Sequence, residues 1–315
     1  VHSVTPPVAP VVIDNGSGFI KAGFSGPDGP CAVFPSVVGR PRQVRGQLCV
    51  SGLEERRWVD DKDRFIGAEA LSHRDLLTLK NPIERGVIVD WDDMETIWHH
   101  VYKELHADPV DHPVLLTEVP LSPKPNKEKT TQVSPELLLT SLVWSGDVRG
   151  MVMESGDGCS HVVPVYEGYA LPQAVLRLNL GGADLTDYLL NRMFMGLRNV
   201  SGQREIVTDM KEKLCFVAQY FDQQVKTAAS SSTLDKTYQL PDGREVSIGE
   251  ERIRCPEALF KPELIGLYQI NCEPNKTCRN LAEETENRVK ESRRFLTRDL
   301  FSLLVSFSSF SLSKL

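Results

Sequence analysis

One short pattern occurs twice in this chain, and it limits the folds that the chain can adopt. Residues 11–18 read VVIDNGSG and residues 151–158 read MVMESGDG. Each is an apolar run that predicts a strand, then an acid (Asp14 or Glu154), a small polar residue and a Gly-x-Gly turn. The two acids lie about 140 positions apart, the size of a domain, so an internal duplication is the simplest explanation.

Both turns have the chemistry of a phosphate-binding loop. Glycine lets the backbone come close to an anion, and successive N–H groups in such turns form anion-binding concavities. Ser17 can also donate its hydroxyl to a phosphate oxygen. Asp14 and Glu154 would repel a bare phosphate, so we expect a divalent cation between them; Mg²⁺ is usually held by one or two carboxylates, phosphates and water. The pair of turns is predicted to clamp one Mg-nucleotide, although a single turn of this kind is more often an ordinary hairpin.

Composition excludes several classes of protein. The chain has 315 residues, enough for two domains, and a net charge of −7, which argues against nucleic acid as a direct partner. No apolar run is long enough to span a bilayer, and residues 1–10 lack the pattern of a signal peptide. The seven cysteines include no Cys-x-x-Cys pair, which predicts a reduced cytosolic or nuclear protein.

Hydrophobic periodicity predicts the main helices. A stripe of apolar residues predicts a helix over 91–105 with Asp92 or Asp93 as its N-cap, and a second stripe predicts one long helix over 203–229. Tyr238 to Ile248 reads as a β-hairpin. Further segments are a charged, exposed stretch at 40–64, a charged helix at 280–294 and a Phe/Ser/Leu-rich run at 301–315.

A series of motifs between about residues 10 and 266 resembles actin and the actin-related proteins. The matching segments include IDNGSG (13–18), KAGF (21–24), VGRPR (38–42), WDDM (91–94), LLTE (115–118), SGDG (155–158), YEGYALP (166–172), DLTDY (184–188), KEKLC (211–215) and LPDG (240–243).

The resemblance implies a fold class and a domain division. The fold is α/β, the two-domain arrangement around a nucleotide cleft that actin shares with hexokinase and the heat-shock chaperone ATPases. Residues 1–145 would form the first domain, with a small subdomain inserted at about 40–80. Residues 146–266 would form the second domain, and 267–315 a divergent tail. No adenosine-binding Gly-rich loop or closing helix of the family is recognised after Gly266, so we expect the first domain to be incomplete.

The resemblance also implies roles for individual residues, with ATP or ADP and Mg²⁺ or Ca²⁺ as the cofactors. The first phosphate loop would comprise Gly16, Ser17, Gly18, Phe19 and Lys21, and the second Gly156, Asp157, Gly158 and Cys159. Asp14 and Glu154 would bind the cation through water. Gly182, Lys211 and Glu212 would line the sugar and base. His161 would be the catalytic residue, as a partner of the attacking water.

Three departures from the family affect catalysis. The family has Asp where Glu154 stands, and the longer side chain would crowd the water shell of the cation. Leu137 falls where the family has a Gln that orients the attacking water, on a helix where Glu136 would point about 100° away. Thr208 replaces an Arg on the nucleotide-facing helix. We therefore expect a degenerate ATP site with weak or no hydrolysis.

Three hypotheses follow. The favoured one is a non-catalytic, actin-like structural protein of the cytoplasm and cytoskeleton, with the nucleus as a further location. Its partners would be actin, subunits of an actin-related complex and actin-binding proteins. The alternatives are an ATP-hydrolysing, polymerising actin and a truncated or alternatively spliced product with impaired folding. A sugar kinase of the same superfamily is disfavoured because no sugar-binding Asp motif is present.

Overall fold

The computed structural model describes residues 9–42, 63–74, 76–133, 137–139, 149–166, 169–193, 203–240 and 243–267. Contacts divide the chain into two compact units, with the change between Asn179 and Leu180. Both Gly-x-Gly turns fall in the first unit, and the domain limits given above stay a prediction. Most of the charged 40–64 stretch, the helix predicted at 280–294 and the 301–315 run lie outside the described residues.

The main sheet of the first unit is built around the first copy of the repeated pattern. Its strands are β1 (Val11–Asn15), β2 (Phe19–Phe24), β3 (Ala32–Pro35), β9 (Val114–Leu116) and β10 (Leu137–Leu139). The order is β10-β9-β1-β2-β3. Strands β1, β2 and β3 are antiparallel, whereas β9 runs parallel to β1 and β10 parallel to β9. The register of the β1–β2 hairpin places Asp14 opposite Lys21.

A second group of elements lies between β3 and β9 in the chain. It comprises β4 (Val38–Pro41), β5 (Phe65–Ile66), α1 (Gly67–Ser72), β6 (Leu77–Lys80), β7 (Ile83–Glu84), β8 (Val87–Ile88) and α2 (Trp91–Leu105). Strands β5, β4 and β6 form an antiparallel sheet, and β7 and β8 form a short hairpin.

Helix α2 has the limits that its apolar stripe predicts, but the predicted N-cap is wrong. Asp90 is the N-cap, and its side chain accepts a hydrogen bond from the N–H of Asp93 at 3.1 Å. Asp93 is fully buried and binds both terminal nitrogens of Arg40. Asp93 therefore forms a tertiary ion pair instead of capping the helix. The N-cap is Asp90, the residue just before α2.

Residue 137 differs from its predicted surroundings. The family comparison placed Leu137 on a helix, whereas the structure places it at the start of β10, opposite Val114 of β9. Three consecutive leucines suit a strand of a parallel sheet, because such strands are covered on both faces. Before β10, the chain forms the polar helix α3 (Lys124–Val133).

The second copy of the repeated pattern forms another antiparallel hairpin. It consists of β11 (Arg149–Ser155) and β12 (Ser160–Tyr166), extended by β13 (Tyr169–Ala170) and β14 (Leu176–Leu178), both of which pair with β12. The register places Glu154 opposite His161. The acid of each hairpin therefore faces a basic residue on the neighbouring strand.

The described part of the second unit is mainly helical. Its elements are α4 (Gly182–Met193), α5 (Gln203–Leu214), α6 (Phe221–Ser230), β15 (Lys236–Gln239), β16 (Glu245–Ile248) and α7 (Glu251–Glu257). Strands β15 and β16 form the predicted hairpin. The core contains buried residues from α4, α5 and α7, including Leu189, Val207 and Cys255.

The single helix predicted over 203–229 is wrong, because the chain leaves the helical path after Leu214. The side chain of Arg252 donates to the carbonyl of Leu214 at 2.8 Å, and the N–H of Phe216 donates to the carbonyl of Arg252 at 3.0 Å. These bonds take the place of helical ones. Cys215 and Ala218 are buried in this segment, so its residues pack inward before α6 begins.

Candidate functional site

The two Gly-x-Gly turns lie against each other in the first unit. A Cβ atom added to Gly158 would lie 2.4 Å from Ser17 Oγ, and one added to Gly18 would lie 2.8 Å from the Cβ of Asp157. Real Cβ atoms do not approach other atoms this closely, so each turn needs glycine where it contacts the other. The structure thus brings together the two sets of residues that the sequence predicts for the phosphate groups.

Ser17 is positioned by a third turn. Its Oγ accepts a hydrogen bond from the N–H of Gly86 at 2.7 Å, in the turn between β7 and β8. Because the hydroxyl acts as an acceptor in this bond, its own proton remains available for donation. Arg85, in the same turn, donates to the carbonyl of Gly158 at 3.3 Å and to that of Asn179 at 2.7 Å. The Arg85–Gly86 turn therefore contacts both Gly-x-Gly turns.

Asp14 is fixed by neighbours on both sides. The Thr117 hydroxyl donates to Asp14 Oδ1 at 2.7 Å and accepts from the Asn15 N–H at 3.1 Å. Lys21 Nζ lies 3.5 Å from Asp14 Oδ2. Thr117 follows β9 and Asp14 belongs to β1, so the parallel pairing of these strands brings the two residues together. The carboxylate stays partly exposed, with 28% of the side chain accessible.

Lys21 is buried between charged groups. Burial lowers the pKa of its ammonium, while the charges of Asp14 and Glu154 and the interaction with Asp14 act in the opposite direction. Its charge is thus influenced by both acids that the sequence predicts for the cation. A lysine in this place partly neutralises the site before any metal or phosphate binds.

Glu154 is joined to His161 across the second hairpin. His161 Nε2 lies 3.0 Å from Glu154 Oε2, and the imidazole is only 8% exposed. Burial alone would lower the pKa of His161, but its interactions with Cys159 and Glu154 raise it to about 9. His161 Nδ1 is buried and forms no hydrogen bond of ordinary geometry. Glu154 itself is 57% exposed, so its second oxygen can reach solvent or a ligand.

The described residues offer a cation few side-chain ligands close together. Among the described residues, no three His, Cys, Asp or Glu side chains form a group that could hold a metal ion. Asp14 and Glu154 alone would leave most positions around a cation to water and phosphate, which is the way Mg²⁺ is usually bound. Both side chains are partly exposed, and their role toward a cation stays a prediction.

The predicted sugar and base residues lie in the second unit. Lys211 Nζ donates to the carbonyl of Gly182 and to Thr186 Oγ1, both at 2.9 Å, and Lys211 is buried. The structure therefore brings Lys211 and Gly182 together. Glu212, the next residue on α5, is exposed. Their role toward a nucleotide stays a prediction.

Three residues of the site were not identified from the sequence. Thr117 lies within a quoted motif, and its position just after a buried strand could have indicated it, since the ends of parallel strands share one edge of a sheet. Arg85 and Gly86 are both in the left-handed region, with φ of 50° and 76°. Such a pair is typical of a two-residue hairpin turn, but its contacts with the Gly-x-Gly turns are tertiary and have no local signal.

Comparison with known families agrees with the motifs. A family model, Actin, matches residues 5–203 and 198–309. The second match continues beyond Gly266, where the quoted motifs end, so the similarity covers more of the chain than those motifs do. In the described part of the chain, no helix is both long enough and apolar enough to cross a membrane. Because the two matches cover most of its length, this chain belongs to the actin family.

Proposed function

We propose that this actin-like protein binds ATP or ADP with a divalent cation at the two Gly-x-Gly turns, and that it hydrolyses ATP weakly or not at all. The observation that carries the proposal is the contact between the turns, Gly158 against Ser17 and Gly18 against Asp157. Two turns held this closely place two stretches of glycine-containing backbone in the same region. That arrangement supports a ligand with several phosphate groups.

Each group has a defined task in this proposal. Ser17 donates its remaining proton to a phosphate oxygen, and the backbones of residues 17–18 and 157–158 supply N–H donors, since the N–H groups of Gly16 and Gly156 donate to the carbonyls of Asp14 and Cys159. Lys21 adds a positive charge next to Asp14. The cation, held by Asp14 and Glu154 through water, would neutralise phosphate charge. Gly182, Lys211 and Glu212 would contact the sugar and base.

Weak hydrolysis is supported by two features. Leu137 has no polar group with which to orient a water molecule, and it lies on β10 rather than on a helix. His161 is the predicted partner of the water, but its Nε2 is already paired with Glu154. Positioning and preorganised hydrogen bonds contribute several kcal/mol to catalysis, and their loss is enough to make hydrolysis slow.

The biological role that best fits this proposal is structural. An actin-like protein that keeps its nucleotide would act as a subunit of a cytoskeletal or actin-related complex in the cytoplasm or nucleus. Its partners would be actin, actin-related subunits and actin-binding proteins. The alternatives, an ATP-hydrolysing polymerising actin and a product with impaired folding, are outcomes of the same experiment.

The test is thermal unfolding with and without Mg-ATP, followed by an assay of phosphate release. A ligand that binds only the folded state raises its stability, by about 2.7 kcal/mol at one hundred times its dissociation constant. We expect a cooperative transition that Mg-ATP shifts upward, with phosphate release at background. A cooperative transition without a shift would contradict nucleotide binding, rapid release would favour a hydrolysing actin, and no cooperative transition would favour impaired folding.

A matched pair of variants makes this test specific. Ser17→Ala removes the hydroxyl that we assign to a phosphate oxygen, and we expect it to reduce the shift with Mg-ATP. Ser72→Ala removes the hydroxyl of an exposed serine at the end of α1, which bonds only locally to Glu69 and His73. The control should keep the full shift. Equal shifts in both variants would contradict the role of Ser17.

A further inference from the structure

The Arg85–Gly86 turn between β7 and β8 has a backbone conformation that its surroundings must fix. Both residues are in the left-handed region, and Arg85, with φ of 50°, lacks the freedom that glycine has there. The turn is also tightly packed, since a Cβ atom added to Gly86 would lie 2.2 Å from Val119 Cγ1. The Gly86 N–H donates to Ser17 Oγ, so a shift of this turn would move the hydroxyl that we assign to a phosphate oxygen.

The side chain of Arg177, on β14, binds this turn from the sheet of the second hairpin. Its Nη2 donates to the carbonyl of Arg85 at 2.7 Å, and its Nη1 donates to the carbonyl of Pro120 at 3.2 Å. Its Nε donates to Asn179 Oδ1 at 3.3 Å. Strand β14 pairs with β12, which begins at Ser160, just after the second Gly-x-Gly turn. Arg177 therefore links the sheet of the second hairpin to the turn that supports the first.

The hydrogen bonds between these two segments run in both directions. Arg85 Nη1 donates to the carbonyl of Asn179, two positions after Arg177, at 2.7 Å, and to the carbonyl of Gly158 at 3.3 Å. Each arginine thus binds a backbone oxygen in the segment of the other. A guanidinium presents several N–H donors in one plane, which suits a side chain that must bind several oxygens at once.

Pro120, the second carbonyl that Arg177 binds on a neighbouring segment, belongs to the part of the chain that supports Asp14. It lies three positions after Thr117, whose hydroxyl donates to Asp14 Oδ1 at 2.7 Å. The guanidinium of Arg177 thus binds two carbonyls, one beside the N–H that holds Ser17 and one near the hydroxyl that holds Asp14. A single side chain therefore connects the supports of a predicted phosphate ligand and a predicted cation ligand.

We infer that Arg177 is a positioning residue of the candidate site, which holds Ser17 and Asp14 in the places where they meet the phosphate groups and the cation. The inference rests on the proposed function, because positioning matters only if the turns bind a Mg-nucleotide. Without the guanidinium, the Arg85–Gly86 turn and the segment after β9 would lose their common support, and the ligand would have to order them on binding. Arg177 itself is assigned no contact with the nucleotide.

The experiment measures the dissociation constant of Mg-ATP for the full chain by isothermal titration calorimetry, below the unfolding temperature of every variant. Arg177→Met removes the N–H donors but keeps a long side chain. We expect the dissociation constant to rise about tenfold, because part of the binding free energy must then order the turns. Arg42→Met is the matched control, because Arg42 also binds two carbonyls, those of Leu77 and Arg74, and neither belongs to the site. The control should bind Mg-ATP as the unmodified protein does.

Two further variants separate positioning from charge and from general stability. Arg177→Lys keeps the positive charge, but an ammonium cannot reproduce the planar set of donors, so we expect most of the loss in affinity to remain. Affinity at the level of the unmodified protein in Arg177→Lys would overturn the inference. In a Ser17→Ala background, Arg177→Met should raise the dissociation constant by about threefold or less, because the two residues act through one turn. Equal factors in the two backgrounds would show that Arg177 does not act through Ser17 and would also overturn it.

The outcomes distinguish this inference from the proposed function. No binding of Mg-ATP by the unmodified protein would overturn the proposed function, and with it the inference that depends on it. Binding by the unmodified protein, with the same dissociation constant in Arg177→Met, would overturn the inference alone. If Arg177→Met does not fold, Arg177→Lys decides in its place, compared with the unmodified protein and in the Ser17→Ala background.

Discussion

Glu154 and His161 are cross-strand partners in the second hairpin, and their side chains are joined at 3.0 Å. Asp14 and Lys21 hold the same relation in the first hairpin, at 3.5 Å. The repeated pattern therefore extends beyond the acid and the Gly-x-Gly turn to a base on the returning strand. In both copies the base reduces the negative charge that the acid brings to the site.

The first prediction concerns the charge of His161. Its pKa is raised from 6.5 to about 9, so the folded protein should hold the proton through neutral pH. The corresponding stability is fully present below pH 6.5 and is lost as the pH rises through about 9. We expect about 1–2 kcal/mol, after allowing for screening at the exposed Glu154. Measurement of the imidazole titration by NMR checks the value, in protein without metal or nucleotide.

Glu154→Gln is the control for this titration. It keeps the size of the side chain but removes the charge that stabilises the imidazolium, so the pKa of His161 should fall. The decline in unfolding free energy between pH 6.5 and 9 should become smaller in the same variant. A His161 titration that is the same with and without the carboxylate would contradict the ion pair.

The second prediction concerns the contact between the two turns. Gly158→Ala would place a methyl group 2.4 Å from Ser17 Oγ and 2.8 Å from the Cα of Arg85, so at least one turn must move. We expect a loss of about 1–3 kcal/mol in unfolding free energy, the usual cost of overpacking, together with loss of the shift caused by Mg-ATP. Denaturant unfolding and thermal unfolding with Mg-ATP measure the two effects.

Gly29→Ala is the matched control. A Cβ at Gly29 meets no atom within 4 Å, and its backbone is not in the left-handed region. We expect little change in stability and an unchanged response to Mg-ATP. If Gly158→Ala behaved like Gly29→Ala, the turns would not be in contact as described.

The third prediction concerns the ion pair between Asp93 and Arg40 at the start of α2, which is buried only on the side of Asp93. Asp93 is fully buried and binds Arg40, whose side chain is 39% exposed. Asp93→Asn removes the charge but leaves Arg40 facing a neutral amide. We expect a loss of about 2 kcal/mol, less than for a pair that is buried on both sides, because Arg40 can turn toward water. Urea unfolding measures the change.

Asp92→Asn is the comparison for that variant. Asp92 precedes Asp93 in α2 and is exposed. Removal of its charge therefore costs only a small favourable interaction with the helix dipole. We expect a change within about 0.5 kcal/mol. Equal losses for the two variants would mean that helix-end electrostatics, rather than the bond to Arg40, accounts for the effect.

Local sequence patterns predicted the helices and strands named above, and tertiary contacts caused the differences between those predictions and the structure. The apolar stripe of α2 predicted its limits, because a helix that packs on a core needs one apolar face. The break after Leu214 was not predictable, because Arg252, which binds that carbonyl, lies far along the chain. In the site, repetition indicated both Gly-x-Gly turns. The hydrogen bond from the Gly86 N–H to Ser17 could not be predicted from the sequence, since any residue with an N–H could make it.

The last prediction concerns Leu137 and the absence of a water-orienting amide. If a missing side chain were the whole reason for weak hydrolysis, Leu137→Gln would restore phosphate release. Leu137 instead pairs with Val114 in the parallel part of the main sheet. The backbone there follows a different path from that of the helix on which the family carries its Gln. We therefore expect Leu137→Gln to leave phosphate release at the level of the unmodified protein. A rise of tenfold or more, measured with saturating Mg-ATP, would show that the amide can reach the water from β10 and would favour a hydrolysing actin.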